Sequence, residues 1–248
     1  SCDVYFYTIG QRMGIDVMAE FGKDFGLGKA TGVELPSERA GIMPSTAWKQ
    51  KAKNEQWLPG ETISAAIGQG YVTVTPLQMA SLVGTVANNG VSYRPRLVQA
   101  VMDRTSGNLQ ELPAVPRGKI NAKPETFRII KDALADVVTK GTATRAKSSM
   151  VTIGGKTGTA QVAALRTGPE ENIPKKFRDH AWFVAFAPVE SPKIAVAVLA
   201  EHMGHGGAAA APLAKEVIET YMKLAPQVPA VTSDLSGVNR SERSAKDS

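Results

Sequence analysis

The sequence has a single cysteine, Cys2, and it lacks any uninterrupted apolar stretch of about 18 residues or more. No disulfide can therefore form within the chain, and no segment reads as a transmembrane helix. An initiator methionine and a signal peptide are also absent. Because the apolar and aromatic run at residues 4–7 is unusual so close to a natural terminus, we expect residue 1 to lie inside a longer polypeptide.

Clusters of basic residues are missing as well. The 248 residues include 29 Lys and Arg against 23 Asp and Glu, and the resulting charge of +6 is scattered along the chain. A nucleic-acid-binding protein would gather these residues beside a recognition motif, so we expect no nucleic-acid partner. The basic excess fits an ordinary solvated surface, and it also fits a surface near an anionic membrane or wall polymer.

The first part of the chain alternates helical and irregular patterns. Apolar spacing predicts one helix over residues 4–21, ended by a glycine-rich stretch at 25–32. Residues 33–60 predict a long irregular segment with one helical turn at 46–51. Thr75-Pro76-Leu77-Gln78 is a helix start, because Thr75 can cap the helix and Gln78 completes a capping box.

The second part of the chain predicts a sheet covered by helices. Residues 91–120 indicate short strands with a hairpin tip at Gly107-Asn108, and a helix follows from Pro124 to Gly141. Three strands are predicted at 151–162, 181–187 and 193–199, and then a closing helix over 212–224 with Leu213, Val217, Tyr221 and Leu224 on one face. Residues 226–248 are polar and rich in Pro and Ser, which predicts a disordered tail.

The order of these elements predicts an α+β fold. Residues 1–225 would form one domain, with a mainly helical part over 1–150 and an antiparallel sheet with its closing helix over 151–225.

The segment Gly155-Lys156-Thr157-Gly158-Thr159 is the most informative for chemistry. A phosphate-binding loop would need a glycine at position 150, where the sequence has Met150. On a strand, Lys156 and Thr157 can bind a carboxylate, and Gly158 lets a substrate pair along the strand edge. The N–H of Thr159 can then stabilise an oxyanion. An ordinary polar strand end is the alternative.

Ser1-Cys2-Asp3 favours the first of these interpretations. Penicillin-recognising enzymes combine a nucleophilic serine in Ser-x-x-Lys with Ser-x-Asn or Ser-x-Asp and with Lys-Thr-Gly. A serine in the second motif can relay a proton, and its Asp or Asn can hold the substrate amide. Ser1 and Asp3 also fit a plain helix N-cap.

Taken together, these motifs resemble those of class B penicillin-binding proteins, the monofunctional D,D-transpeptidases of bacterial cell-wall synthesis. The matching stretches are residues 1–7, 67–70, 75–80, 89–90, 141–143 and 155–161, in the family's order. Ser-Cys-Asp as second motif, together with residues 43–49 and 178–188, is similar to the elongation-specific group of that family. The resemblance implies the penicillin-binding and serine β-lactamase-like transpeptidase fold, incomplete at its N-terminal side because a helix and two strands of that fold would precede residue 1.

The resemblance also implies roles for the matched residues. Ser1, Asp3 and Lys156 would be catalytic, and Thr157, Gly158 and Thr159 would bind substrate. The substrate would be the D-Ala-D-Ala end of a peptidoglycan stem peptide, and β-lactams would acylate the same site. No cofactor is required, but some elongation-type members carry a structural zinc, for which Cys2 would be one ligand with the others upstream. A buried, inert cysteine is the alternative.

The family's nucleophile is absent from this sequence, since no serine stands in a credible Ser-x-x-Lys. We therefore expect the nucleophile upstream and the chain itself to be inactive. The resemblance implies a parent enzyme with transpeptidase or carboxypeptidase activity, anchored in the inner membrane and working in the periplasm during elongation. Its partners would be glycan-polymerising and shape-determining membrane proteins. A β-lactamase or β-lactam sensor, or an inactive wall-binding module, are the alternatives.

Overall fold

The computed structural model describes residues 1–162 and 173–224, which form an α+β fold, as predicted. Helices cover Asp3–Met13 (α1), Ile15–Asp24 (α2), Thr46–Lys53 (α3), Pro59–Ala66 (α4), Pro76–Ala87 (α5), Pro124–Thr139 (α6) and Gly206–Leu224 (α7). Strands cover Val91–Tyr93 (β1), Ala100–Met102 (β2), Leu109–Glu111 (β3), Pro116–Lys119 (β4), Gly154–Ala160 (β5), His180–Ala187 (β6) and Ile194–Ala200 (β7). The disorder predicted for 226–248 concerns residues outside the described ranges.

The three strands predicted for the last part of the chain are confirmed. They form an antiparallel sheet in the order β5-β6-β7, in which Lys156 faces Val184 and Gly158 faces Trp182. The odd-numbered residues of β6 from 181 to 187 pack with α7 in the main core, and Phe186 packs on the opposite face with α5. The odd-numbered face of β6 is buried, and the other face is buried at Phe186 and partly exposed at its remaining positions. In the part of the chain that the structure describes, β5 lies at the edge of the sheet.

The helix predicted over residues 4–21 is two helices, so the prediction of one continuous helix is wrong. The chain leaves the helical conformation at Gly14, whose φ of 77° and ψ of 158° favour glycine. The helical turn predicted at 46–51 is confirmed within α3, which Ser45 caps by accepting a hydrogen bond from the N–H of Trp48 (3.0 Å). Helix α4 was not predicted.

The capping box predicted at α5 is confirmed, and Gln78 has a second role. Its amide is buried and donates to the carbonyls of Lys29 (2.8 Å) and Ala40 (2.7 Å), while its Oε1 accepts from the N–H of Thr75. One side chain therefore ties the irregular segment between α2 and α3 to the start of α5.

Helix α7 differs from its prediction in both start and orientation. It begins at Gly206 rather than at Pro212, which lies inside the helix. The buried residues of α7 include Ala210, Ala214 and Ile218, whereas the predicted face of Leu213, Val217, Tyr221 and Leu224 is exposed. Small alanines let α7 approach the sheet closely, and the larger apolar side chains consequently point away from it.

Residues 91–120 contain short strands, as predicted, and these form two antiparallel pairs, β1 with β4 and β2 with β3. Gly107 lies in the β2–β3 turn with a φ of 73°, which confirms the hairpin tip. Over residues 1–162 and 173–224, none of the helices has the length and apolar character needed to cross a lipid bilayer.

Candidate active site

Strand β5 carries the Lys-Thr-Gly segment along the edge of the sheet, where it meets the beginning of α1. The Lys156 ammonium donates to the Ser1 hydroxyl (3.0 Å) and to the Thr157 carbonyl (2.7 Å). Two motifs that are 155 residues apart in sequence therefore share one hydrogen bond. Lys156 and Thr157 lie within an extended strand that pairs antiparallel with β6, whereas a phosphate-binding loop places such residues between a strand and the start of a helix.

The beginning of α1 leaves Ser1 free for this contact. The N-cap residue is Cys2, which makes no side-chain capping bond, and Asp3 lies in the first turn. Ser1 therefore does not serve as the N-cap that the sequence alone allowed. Helix α1 crosses α4 at close range, since a Cβ on Gly10 would lie 2.5 Å from the Cβ of Ala66.

Lys156 is half-buried between these elements, and burial lowers the pKa of its ammonium below the usual 10.5 because the charged form loses solvent. The negative charge of Asp3 acts to raise this pKa, because it stabilises the charged ammonium. The site thus holds a cation that is less hydrated than an ordinary surface lysine.

The carbonyls of Thr157 and Thr159 mark the open edge of β5, because each accepts a hydrogen bond from a side chain, that of Lys156 for the first and that of Gln69 for the second. In an antiparallel strand the N–H and C=O of one residue point to the same side. The N–H groups of Thr157 and Thr159 therefore also face the open edge, where an extended ligand or an oxyanion could be bound.

Glycines allow the end of β5 to pack closely against α7. A Cβ on Gly158 would lie 3.1 Å from the Cβ of Trp182 across the strand pair. A Cβ on Gly206 would lie 2.1 Å from the Trp182 carbonyl oxygen and 2.6 Å from that of Gly158. Gly158 thus serves packing as well as access to the edge. Sequence reasoning missed Gly206, although the Gly206-Gly207 pair before an alanine run was a visible signal.

Two further residues hold the edge strand, and sequence reasoning gave neither of them a role. The Thr142 hydroxyl lies 2.8 Å from that of Thr157. The Gln69 amide nitrogen donates to the Thr159 carbonyl (2.8 Å). Both residues belong to stretches that carried the family resemblance, but their contacts join segments that are distant in sequence.

Cys2 is an exposed, free cysteine in the described part of the chain. Over residues 1–162 and 173–224, no three His, Cys, Asp or Glu side chains are grouped to hold a metal ion. The described residues therefore do not by themselves fit the four-ligand zinc site that the family resemblance implied. Zinc bound through Cys2 stays a prediction that needs ligands from elsewhere.

The chain is similar to known proteins over most of its length. The family model described as the penicillin binding protein transpeptidase domain matches residues 1–219. Peptidoglycan D,D-transpeptidase MrdA of Acinetobacter baumannii is 40% identical over 227 residues, which cover 90% of this chain and 33% of that protein. The chain thus spans about a third of the length of this curated relative.

Solved structures show the same similarity. Penicillin-binding protein PBP2 of Helicobacter pylori, in complex with MreC, superposes with a TM-score of 0.75 at 31% identity, over 90% of this chain and 38% of that one. A chain of a peptidoglycan synthase complex that coordinates polymerization and crosslinking superposes with a TM-score of 0.73 at 30% identity, over 92% of this chain and 37% of its own length.

Proposed function

The chain belongs to the penicillin-binding protein transpeptidase family, and from this we propose that the longer protein is a peptidoglycan D,D-transpeptidase of the elongation-specific type. The hydrogen bond from Lys156 to Ser1 carries the proposal, because it brings the second and third motifs of the family to one point. Since no serine of the 248 residues stands in a credible Ser-x-x-Lys, the nucleophile would come from another part of the longer protein.

In the proposed reaction, the nucleophilic serine attacks the carbonyl between the two terminal D-alanines of a stem peptide. An acyl–serine ester forms, the peptide bond breaks, and D-alanine leaves with the proton that the serine gave up. An amine of a neighbouring stem peptide, or water, then attacks the ester, and the serine regains a proton.

The described residues would act at defined points of this reaction. Lys156 and the Thr157 hydroxyl would bind the terminal carboxylate, and the N–H of Thr159 would stabilise the oxyanion, an interaction worth about 10²–10³ in rate. Ser1 would relay the proton to the leaving amine, with Asp3 beside it. β-Lactams would acylate the same serine.

Exposed apolar surfaces support the proposal that more of the protein packs on this chain. Val4 is 72% exposed and Phe21 51% exposed on the first two helices, and Leu224 is 76% exposed on α7. Strand β7 pairs with β6 on one side, and its other edge has no strand among the described residues. Upstream helices and two further strands would cover these surfaces.

The partners of similar proteins suggest where the longer protein works. The MreC complex and the peptidoglycan synthase complex favour shape-determining and glycan-polymerising partners. An anchor in the bacterial inner membrane would place the catalytic domain in the periplasm. A structural zinc bound by Cys2 and by residues outside this chain is part of the same proposal.

Labelling with a fluorescent penicillin tests the function. The full-length protein is expected to form a lasting covalent adduct, and residues 1–248 alone are expected to form none. Lack of an adduct on the full-length protein would overturn the transpeptidase assignment, and stable labelling of residues 1–248 would overturn the absence of a nucleophile. Rapid release of hydrolysed penicillin, with many turnovers per protein, would instead favour a β-lactamase.

A further inference from the structure

The turn between α4 and α5 presents one side chain, Gln69, to the edge of the sheet. Gly68 and Gly70 flank it with φ values of 77° and 69°, which other residues rarely adopt. The N–H of Gln69 donates to the Ser64 carbonyl (2.9 Å), and a Cβ on Gly70 would lie 3.3 Å from the Cβ of Ser64. The turn is therefore packed against the end of α4, which limits the directions available to Gln69.

The beginning of α4 is itself held by an ion pair between buried Lys49 and partly exposed Glu61. The Lys49 ammonium is buried and donates to Glu61 (2.6 Å), whose other oxygen accepts from the N–H of Leu58 (2.8 Å). These contacts, the Leu58 N–H first, lower the pKa of Glu61, so this carboxylate stays ionised at neutral pH.

Aromatic side chains hold the other end of the turn. The ring of Tyr71 lies 5.2 Å from that of Trp48 and 6.3 Å from that of Trp57. Both ends of the short segment that carries Gln69 are therefore anchored in packed structure, so the position of its backbone does not depend on a ligand.

From this turn, the Gln69 amide nitrogen reaches the Thr159 carbonyl oxygen at 2.8 Å, in a part-buried environment. The orientation of the amide follows from chemistry, since a carbonyl only accepts and Gln69 must therefore present its NH₂ group. The carbonyl keeps a second lone pair, which leaves an acceptor for a substrate N–H along the open edge.

We propose that Gln69 is a positioning residue for acyl transfer, holding Thr159 from the open side of β5. This rests on the proposed function. Strand β6 supports β5 from one side, and within the described chain no strand pairs with the other side. Because the N–H and C=O of Thr159 face the same edge, fixing the carbonyl also fixes the direction of the N–H that would bind the oxyanion.

The test replaces Gln69 in the full-length protein and measures acylation by a fluorescent penicillin. Q69E keeps the size but cannot donate, and Q69M removes the donor without adding charge. Both variants are expected to lower the saturating acylation rate about tenfold or more, with little change in the half-saturating concentration, because small misplacements of a reacting group cost up to about 10²-fold. Q110E and Q110M, on the exposed strand β3, serve as matched controls with near-wild-type rates.

Hydrogen exchange of residues 154–160 in the same proteins gives a readout that is independent of chemistry. The Gln69 variants are expected to speed exchange there, with unchanged exchange in α7. Wild-type acylation rates in both Gln69 variants, or a change confined to the half-saturating concentration, would overturn the positioning role. If the wild-type protein forms no adduct, the proposed function falls, and the exchange measurement still decides whether Gln69 holds the strand, since unchanged exchange would overturn that contact.

Discussion

The Lys156 ammonium lies 3.0 Å from the Ser1 hydroxyl and donates a hydrogen bond to it, across 155 residues of sequence. Ser1 precedes the first helix, whereas Lys156 lies in the edge strand of the sheet, so their contact joins the helical part of the chain to the sheet. A proton could pass along this pair only while both residues keep these positions.

Replacing either member of the pair should impair acylation of the full-length protein. K156M removes the cation, and S1A removes the hydroxyl that would relay the proton. Each is expected to slow adduct formation with a fluorescent penicillin by about 10²-fold or more, the range of positioned proton transfer. K51M, on the exposed side of α3, is the matched control and should keep the wild-type rate. Undiminished labelling of K156M would contradict the proposed role.

The decrease in acylation rate at high pH should follow the deprotonation of the Lys156 ammonium. Burial lowers the pKa of its ammonium below 10.5, and only the protonated form binds a carboxylate, so activity should fall as pH rises through that lowered value. D3N removes the negative charge that supports the ammonium and should shift this decrease to lower pH. D24N, which makes the same charge change on an exposed residue, should leave it in place. The measurement is the initial acylation rate of each protein as a function of pH. If D3N and the wild type lose activity at the same pH, Asp3 does not influence the protonation of Lys156.

The Thr142 hydroxyl should increase the acylation rate indirectly, by orienting the Thr157 hydroxyl. T142V has nearly the same shape but loses the 2.8 Å contact with the Thr157 hydroxyl. A loss of about 1 kcal/mol corresponds to roughly a fivefold slower acylation, measured as the rate constant of adduct formation. T126V, at an exposed position of α6, is the control. Equal rates for the two variants would show that the Thr157 hydroxyl needs no partner.

Gln78 should contribute to stability rather than to chemistry. Q78L removes the buried amide that donates to the carbonyls of Lys29 and Ala40, and each lost hydrogen bond costs about 0.5–1.5 kcal/mol. Urea unfolding of the full-length protein should show a lower midpoint, whereas Q110L on the exposed strand β3 should change stability by less than about 0.5 kcal/mol. A midpoint in Q78L equal to that of the wild type would contradict the bridging role.

Arg145 should compensate for the proline inside α7. Pro212 has no N–H for the carbonyl of Ala208, one turn earlier, and the Arg145 guanidinium donates to that carbonyl instead (3.0 Å). R145M is expected to lower the free energy of unfolding by about 1 kcal/mol. The loss should be smaller in a P212A background, where the N–H of the new alanine can donate to the Ala208 carbonyl. A double-mutant cycle in urea unfolding measures this coupling, and equal costs in both backgrounds would exclude it.

Much of the secondary structure could be predicted from local sequence. The α5 capping box, the hairpin tip at Gly107 and the three core strands were all predicted because they depend on neighbouring residues and on apolar runs. The division of the first predicted helix at Gly14 was missed. A glycine can also lie inside a continuous helix, and only the packed structure shows at which glycine the helix ends.

The sequence by itself determined which residues could do chemistry: the Lys156-Thr157-Gly158 segment and the Ser1-Cys2-Asp3 segment, with a strand for the one and a helix start for the other. Tertiary structure alone decided that the Lys156 ammonium reaches Ser1, that Gln69 holds Thr159, and that α7 buries its alanines and exposes its larger apolar face. These contacts join residues that are far apart in the chain, and their formation depends on how closely two backbones can approach, which local propensity does not encode.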